Sequence, residues 1–189
     1  MYKDCKTPQS ALRQREFEQC LLKTMRTVPY QNISISSLCT QMGIGRKNFY
    51  RYFENKDDVL CALLDHTLLE YIQYENEHAT ASAVPFAAIV HFLSYWQEQK
   101  SLLDVLEANN LSSRLIERML YHAWRRDPQF LRLLKSDAEK VDPNAVLFSI
   151  SGIITLIVTW HHGGYKEPKE QLAASIYRLM TEPIVDIPK

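Results

Sequence analysis

Apolar side chains recur along this chain at spacings of three and four residues, the signature of helices with one buried face. No stretch shows the alternation of a half-buried strand. A first helix is predicted over 9–27, where Leu12, Phe17, Cys20, Leu21 and Met25 share a stripe and Pro29 stops the run. A short helix over 35–42 should follow, capped by Ser34 and ended by Gly43. A second short helix, 46–53, places Phe49 and Phe53 four residues apart, able to pack inward together. A longer helix over 56–77 carries Val59, Leu60, Leu63, Leu64, Leu68 and Ile72. Asn55 is its candidate cap, and Asp57 and Asp58 lie in its first turn, where the helix dipole favours acid.

The run 79–85 breaks the pattern. Beyond it, helices are predicted over 85–99, 102–109, 111–126, 128–135, 143–162 and 168–180. Pro85, Pro143 and Pro168 sit at expected first helical positions. The expected architecture is all-α: a three-helix amino-terminal head over 1–55, a connecting helix over 56–78, and a helical body over 79–189.

Composition narrows the class. With 189 residues, 46% hydrophobic and only 5 Gly and 8 Pro, the chain can bury a sizeable core and is not low-complexity. Net charge is zero but unevenly spread: residues 1–58 carry 10 Lys and Arg against 6 Asp and Glu, and the remainder is acidic in balance. A positive head on a negative body suits local contact with a polyanion. The 4 cysteines lack metal-site spacing and are expected to be reduced thiols, Cys5 in an exposed leader and the others on apolar stripes. The first ten residues are too charged for a signal peptide, and the most apolar segment, 146–160, falls short of a membrane span. A cytoplasmic location, with no membrane partner, is expected.

Two short helices joined by a glycine turn behind a supporting helix describe a helix-turn-helix. The second of them presents Arg46, Lys47, Asn48, Tyr50, Arg51 and Tyr52 around the Phe49/Phe53 anchor. Such a helix can enter a major groove, where Asn pairs with adenine and Lys or Arg with guanine, each good pair worth about 1–3 kcal/mol of discrimination.

The residues 33–56 closely resemble the signature of the TetR family of bacterial repressors: Met42-Gly43-Ile44, Phe49-Tyr50-Arg51-Tyr52-Phe53 and Asn55-Lys56, then Val59-Leu60. The resemblance implies a homodimer that binds double-stranded operator DNA and responds to a small-molecule inducer of unknown identity. It implies base contacts from Lys47 and Asn48, and phosphate or sugar contacts from Ser34, Tyr50, Tyr52 and Lys56. Arg46 is a further guanine donor, and Gly45 leaves backbone amides open to a phosphate. The family commonly has a hydroxyl residue at Gly45, a small one at Lys47, and Thr or Ser at Asn48, so no relative's operator can be borrowed.

In the body, His91, Tyr95, Trp96, Tyr121, His122 and Trp124 fall on helices that line the pocket in relatives; they equally suit a plain core. The last two helices would pair across a two-fold axis through Ser149, Gly152, Ile153, Leu156, Trp160, Leu172, Ser175, Ile176 and Leu179. That pairing sets the recognition helices about 34–36 Å apart. No cofactor, metal or enzymatic motif is expected: His161 and His162 face apart with no carboxylate set around them, and His91 and His122 lack partners at ligand spacing. The alternatives are a related protein-interaction module whose body docks a partner and, more remotely, an α-helical enzyme.

Overall fold

Local capping chemistry sets where the helices begin. Thr7 and Ser10 exchange side-chain and backbone hydrogen bonds ahead of α1 (Pro8–Met25), with Pro8 in its first turn. Ser34 and Ser37 do the same for α2 (Ile35–Gln41), at 3.0 and 3.1 Å. Before α4 (Lys56–His78), Asn55 Oδ1 accepts from the Asp58 amide while Asp58 Oδ2 accepts from the Glu54 amide. Caps of this kind are worth about 1 kcal/mol each. Asp142 and Pro143 open α8 (Pro143–His162) in the same way.

The remaining helices are α3 (Arg46–Phe49), α5 (Pro85–Glu98), α6 (Lys100–Ala108), α7 (Ser112–Trp124) and α9 (Lys169–Thr181). The structure is a computed structural model that describes residues 2, 3, 5, 7–78, 85–125 and 142–182; every described element of regular structure is helical. The helix expected over 128–135 lies outside the described residues. Two expected helix boundaries need correction. The helix expected over 46–53 is one α-helical turn continued as a tighter turn, with the Tyr52 amide bonded to the Phe49 carbonyl. Pro168 precedes α9 as its cap instead of opening it.

The core is continuous. Phe17, Leu21, Leu38, Phe49 and Phe53 fill the head, and α4 carries Val59, Leu60, Leu64 and Leu68 onward to Leu93, Trp96, Leu106, Ile154 and Ile157 in the body. α1 packs beside the first half of α4, α5 and α7 pack along it, and α8 lies on α7. The α1–α4 contact also buries a charge: Glu18 lies 2.8 Å from His66 Nδ1 and 3.2 Å from Arg15 Nη1.

Head meets body at a polar joint. Asn109, just past α6, donates to the carbonyls of Met25 (3.2 Å) and Val105 (2.8 Å) and accepts from the Tyr30 amide (2.6 Å). Arg26 donates to Ser101 at 2.6 Å. Histidines at the other end of α8 close on the same α6: His161 Nε2 is 3.2 Å from Glu107 and 3.3 Å from Asp104, and His162 Nδ1 meets Glu107. These carboxylates pair with the histidines without being arranged as a metal-ligand set among the described residues. α6 supplies them from more than fifty positions away.

Candidate nucleic-acid interface

Phe17, Phe49 and Phe53 are all fully buried and form a triangle with ring centroids 5.3–5.6 Å apart. Two of the pairs are edge-to-face, the geometry in which one ring's positive edge meets another's negative face. This triangle seats α3 from behind. In front, Gly43 takes a left-handed φ of +65°, and the amides of Gly43 and Ile44 return to the Thr40 and Cys39 carbonyls. The turn is therefore tight, and it delivers Gly45 to cap α3.

The side chains on α3 divide by what they already hold. Arg46 bends back, its Nη2 donating to the Tyr50 hydroxyl at 3.0 Å and its guanidinium 5.8 Å from that ring's centre. Lys47 and Asn48 are exposed, and neither side chain makes a hydrogen bond or ion pair among the described residues. Tyr50 is exposed and sets its ring edge-on to Phe49, whereas Tyr52 is half-buried against Phe17 and Phe53. Ser34 is exposed, but its hydroxyl is occupied as a cap.

Lys56 is more engaged than its sequence role implies. Its ammonium donates to the carbonyls of Tyr30 (2.6 Å) and Ile33 (2.9 Å) and lies 4.2 Å from the Tyr30 ring centre. Burial pushes its pKa down from the ordinary lysine value, against a smaller opposing pull from Asp57. Two of its three donors tie the α1–α2 loop to the start of α4.

The body residues do not form one set. Tyr95 and Trp96 are buried with Tyr71, Tyr74 and Phe92 in an aromatic cluster, the Tyr95 hydroxyl bonded to the Thr67 carbonyl. His91 is half-buried, while Trp124 is 77% exposed. Tyr121 stacks under Arg118 and Arg125, and His122 Nε2 lies 2.9 Å from Asp65. That partner lies on α4, 57 positions back, where no spacing along α7 could point to it.

On α8 and α9, Trp160, Leu172 and Ile176 are buried within the protomer, the Trp160 indole donating to the Glu167 carbonyl at 2.8 Å. Ser149, Ile153, Leu156 and Ser175 are half-buried, and Gly152 and Leu179 are exposed. The solvent-facing stripe of α8 is Ala145, Phe148, Gly152, Thr155 and Thr159, with Phe148 66% exposed. This 20-residue helix is long and apolar enough to cross a membrane by length and composition, so the sequence-based length argument against a span does not hold. Its packing on α7 makes it part of the helical body.

Sequence reasoning missed Asp65, Lys3 and Tyr2. Asp65 interrupts the apolar stripe of α4, and a lone acid between Leu64 and Leu68 is the signal that could have exposed it. Nothing local marks Tyr2 and Lys3. Cys5 is likewise not in a free leader, since it is half-buried and its thiol donates to Gln14 Oε1 at 3.4 Å. Among the described residues no cluster of three or more His, Cys, Asp or Glu is arranged to hold a metal ion.

No family model matches the chain. Residues of this chain are 27% identical over 95 positions to an HTH-type transcriptional regulator of Staphylococcus aureus strain USA300, covering 48% of this chain and 51% of that protein. The counterpart in the bovine strain RF122 is 26% identical over the same length. The chain thus spans about half the length of the curated relatives it matches. Among solved structures, it is similar to a putative TetR-family transcriptional regulator from Syntrophomonas wolfei, with a TM-score of 0.61 and 15% identity over 94% of this chain and 100% of that one. It is also similar to the fatty acid degradation regulator FadR from Bacillus halodurans, with a TM-score of 0.57 and 13% identity over 96% and 98%. The dihydroxyacetone kinase operon activator DhaS gives a TM-score of 0.53 and 17% identity over 90% and 94%. The chain has the all-helical fold of TetR-type regulators, an amino-terminal helix-turn-helix joined to a helical body.

Proposed function

We propose that this protein is a sequence-specific, duplex-DNA-binding regulator of transcription that acts in the cytoplasm as a homodimer, represses when free of ligand, and is released by a small molecule. The observation that carries this is the state of Lys47 and Asn48: exposed, unengaged, and presented on a helical turn whose other side is locked by three buried rings. A Lys and an Asn free to meet base edges are the donors and acceptors a major groove requires. A protein-docking head would instead hide this surface against the body. Ser34, Gly45, Tyr50, Tyr52 and Lys56 surround the pair as phosphate or sugar contacts, with Arg46 as a further guanine donor.

The body supports the regulatory half of the proposal in two ways. The exposed face of α8 calls for a cover: Ala145, Phe148 and Gly152 lie open along it, Phe148 at 66% exposure. A second copy packed there would form the dimer, and Phe148→Asp should then yield monomers by sedimentation. The Trp96 indole N–H is fully buried without a hydrogen-bond partner among the described residues, a donor that an acceptor oxygen on an inducer would satisfy.

Selection of bound duplex from a random pool at stated salt tests DNA binding, two-fold symmetry and half-site spacing together. Asn48→Ala should then narrow the gap between selected and random DNA. Equal loss on both would remove Asn48 from base reading.

A further inference from the structure

Asp65 sits in the middle of the longest core helix and is 1% exposed. A carboxylate there is tolerated only if its charge and lone pairs are met. Arg118 donates to it twice, Nε to Oδ1 at 2.8 Å and Nη2 to Oδ2 at 2.6 Å. His122 Nε2 lies 2.9 Å from Oδ1, and the Tyr2 hydroxyl donates to Oδ2 at 2.9 Å. Burial alone would raise the carboxyl's pKa, but His122 and Arg118 outweigh it and hold the value below the ordinary range. Burial and the Asp65 charge push the Tyr2 phenol up, so it stays a donor.

Tyr2 is followed by Lys3, and Lys3 reaches the recognition segment twice. Its amide donates to the Tyr52 carbonyl and its ammonium to the Tyr50 carbonyl, both at 2.9 Å. Gln14 Nε2 donates to the Lys3 carbonyl at 3.1 Å, fixing the segment on α1. These contacts matter because α3 has only four residues and cannot sustain itself. The carbonyls that follow a helix lack internal donors, and a cation beside them is favourable.

We propose that Tyr2 and Lys3 form a strap, anchored on Asp65, through which the placement of α7 sets the pose of the recognition segment. Arg118 and His122 grip one end from α7, and Lys3 grips the carbonyls of Tyr50 and Tyr52 at the other. Neither Tyr2 nor Lys3 is asked to touch a base; both are positioning residues. The strap rests on the proposal that Lys47 and Asn48 read DNA, and a displacement of α7 relative to α4 would reach those two residues along it.

Tyr2→Phe keeps the ring and removes the one hydroxyl that joins strap to anchor. In the DNA-free protein, amide exchange at 50–53 should accelerate at least several-fold while amides in the middle of α4 keep wild-type rates. Affinity for a duplex selected from the random pool should fall about 3- to 10-fold with an unchanged salt slope. His122→Gln should lower affinity in the wild-type background and add little on top of Tyr2→Phe. Unchanged exchange at 50–53 overturns the strap whatever happens with DNA, and so do accelerated exchange with unchanged affinity and strictly additive losses. Failure of the wild-type chain to bind any duplex at low salt defeats the DNA proposal instead, and exchange then still decides whether the strap holds the segment.

Discussion

Lys56→Met separates two roles that a lysine at this position can play. In the folded protein its ammonium bridges the carbonyls of Tyr30 and Ile33 and lies over the Tyr30 ring. A hydrogen bond from a charged donor contributes about 1.5–3 kcal/mol net when its acceptor is buried. These acceptors lie in a loop that water can partly reach once the amine is gone, so the lower end applies. Contact with the ring adds about 0.5–1 kcal/mol, and the partial burial that lowers the lysine's pKa subtracts from the total. The net expectation is a loss of about 2–3 kcal/mol, which for a chain of this size lowers Tm by roughly 4–12 °C. If the third donor also holds a phosphate, the slope of log affinity against log salt becomes shallower by about 0.9. The two readouts are independent: thermal unfolding without DNA reports the clamp, and a salt titration on the selected duplex reports the phosphate. A variant with wild-type Tm and a slope reduced by about 0.9 would show that Lys56 is a phosphate ligand alone, refuting the clamp.

Phe17→Ala removes the ring common to both edge-to-face pairs in the head and should cost about 3–5 kcal/mol, read by urea unfolding. Gly43→Ala meets no atom within 4 Å, so its cost should be only the left-handed backbone, about 1–2 kcal/mol; a neutral result would mean that the turn relaxes. Gly45→Ser, equally unhindered and at an extended cap position, should instead stabilise by a few tenths of a kcal/mol. Because the folded Asp65 carboxyl is held below its unfolded value, its stabilisation is present above about pH 4 and is lost as pH falls through the folded value. Asp65→Asn should erase that part of the acid unfolding curve while lowering stability at neutral pH, measured by urea unfolding between pH 2 and 7.

What the chain declares locally, its sequence reveals. Ser34, Asn55 and Pro143 mark helix starts because a cap and its amides lie within three residues of one another. The Phe49/Phe53 anchor is equally legible, since helical spacing alone brings those rings together. Legibility fails where a partner is distant. Asp65 and Arg118 are 53 positions apart, and Glu107 and His162 are 55 apart; no periodicity links them. Lys56 shows a second kind of failure, because its position was readable and its charge was readable, but the carbonyls it grips belong to a loop without pattern.

Asn109 carries a practical consequence for anyone wishing to work with the amino-terminal helices alone. Cutting after residue 55 would discard the amide that closes the end of α1 and the oxygen that receives the Tyr30 backbone, along with the α4 surface against which Phe17 and Leu21 are enclosed. A 55-residue fragment should therefore be molten in isolation, and the smallest autonomous unit should extend at least through α6 and its final asparagine. Swapping heads between proteins of this fold would then require transplanting α4 through α6 along with the first three helices.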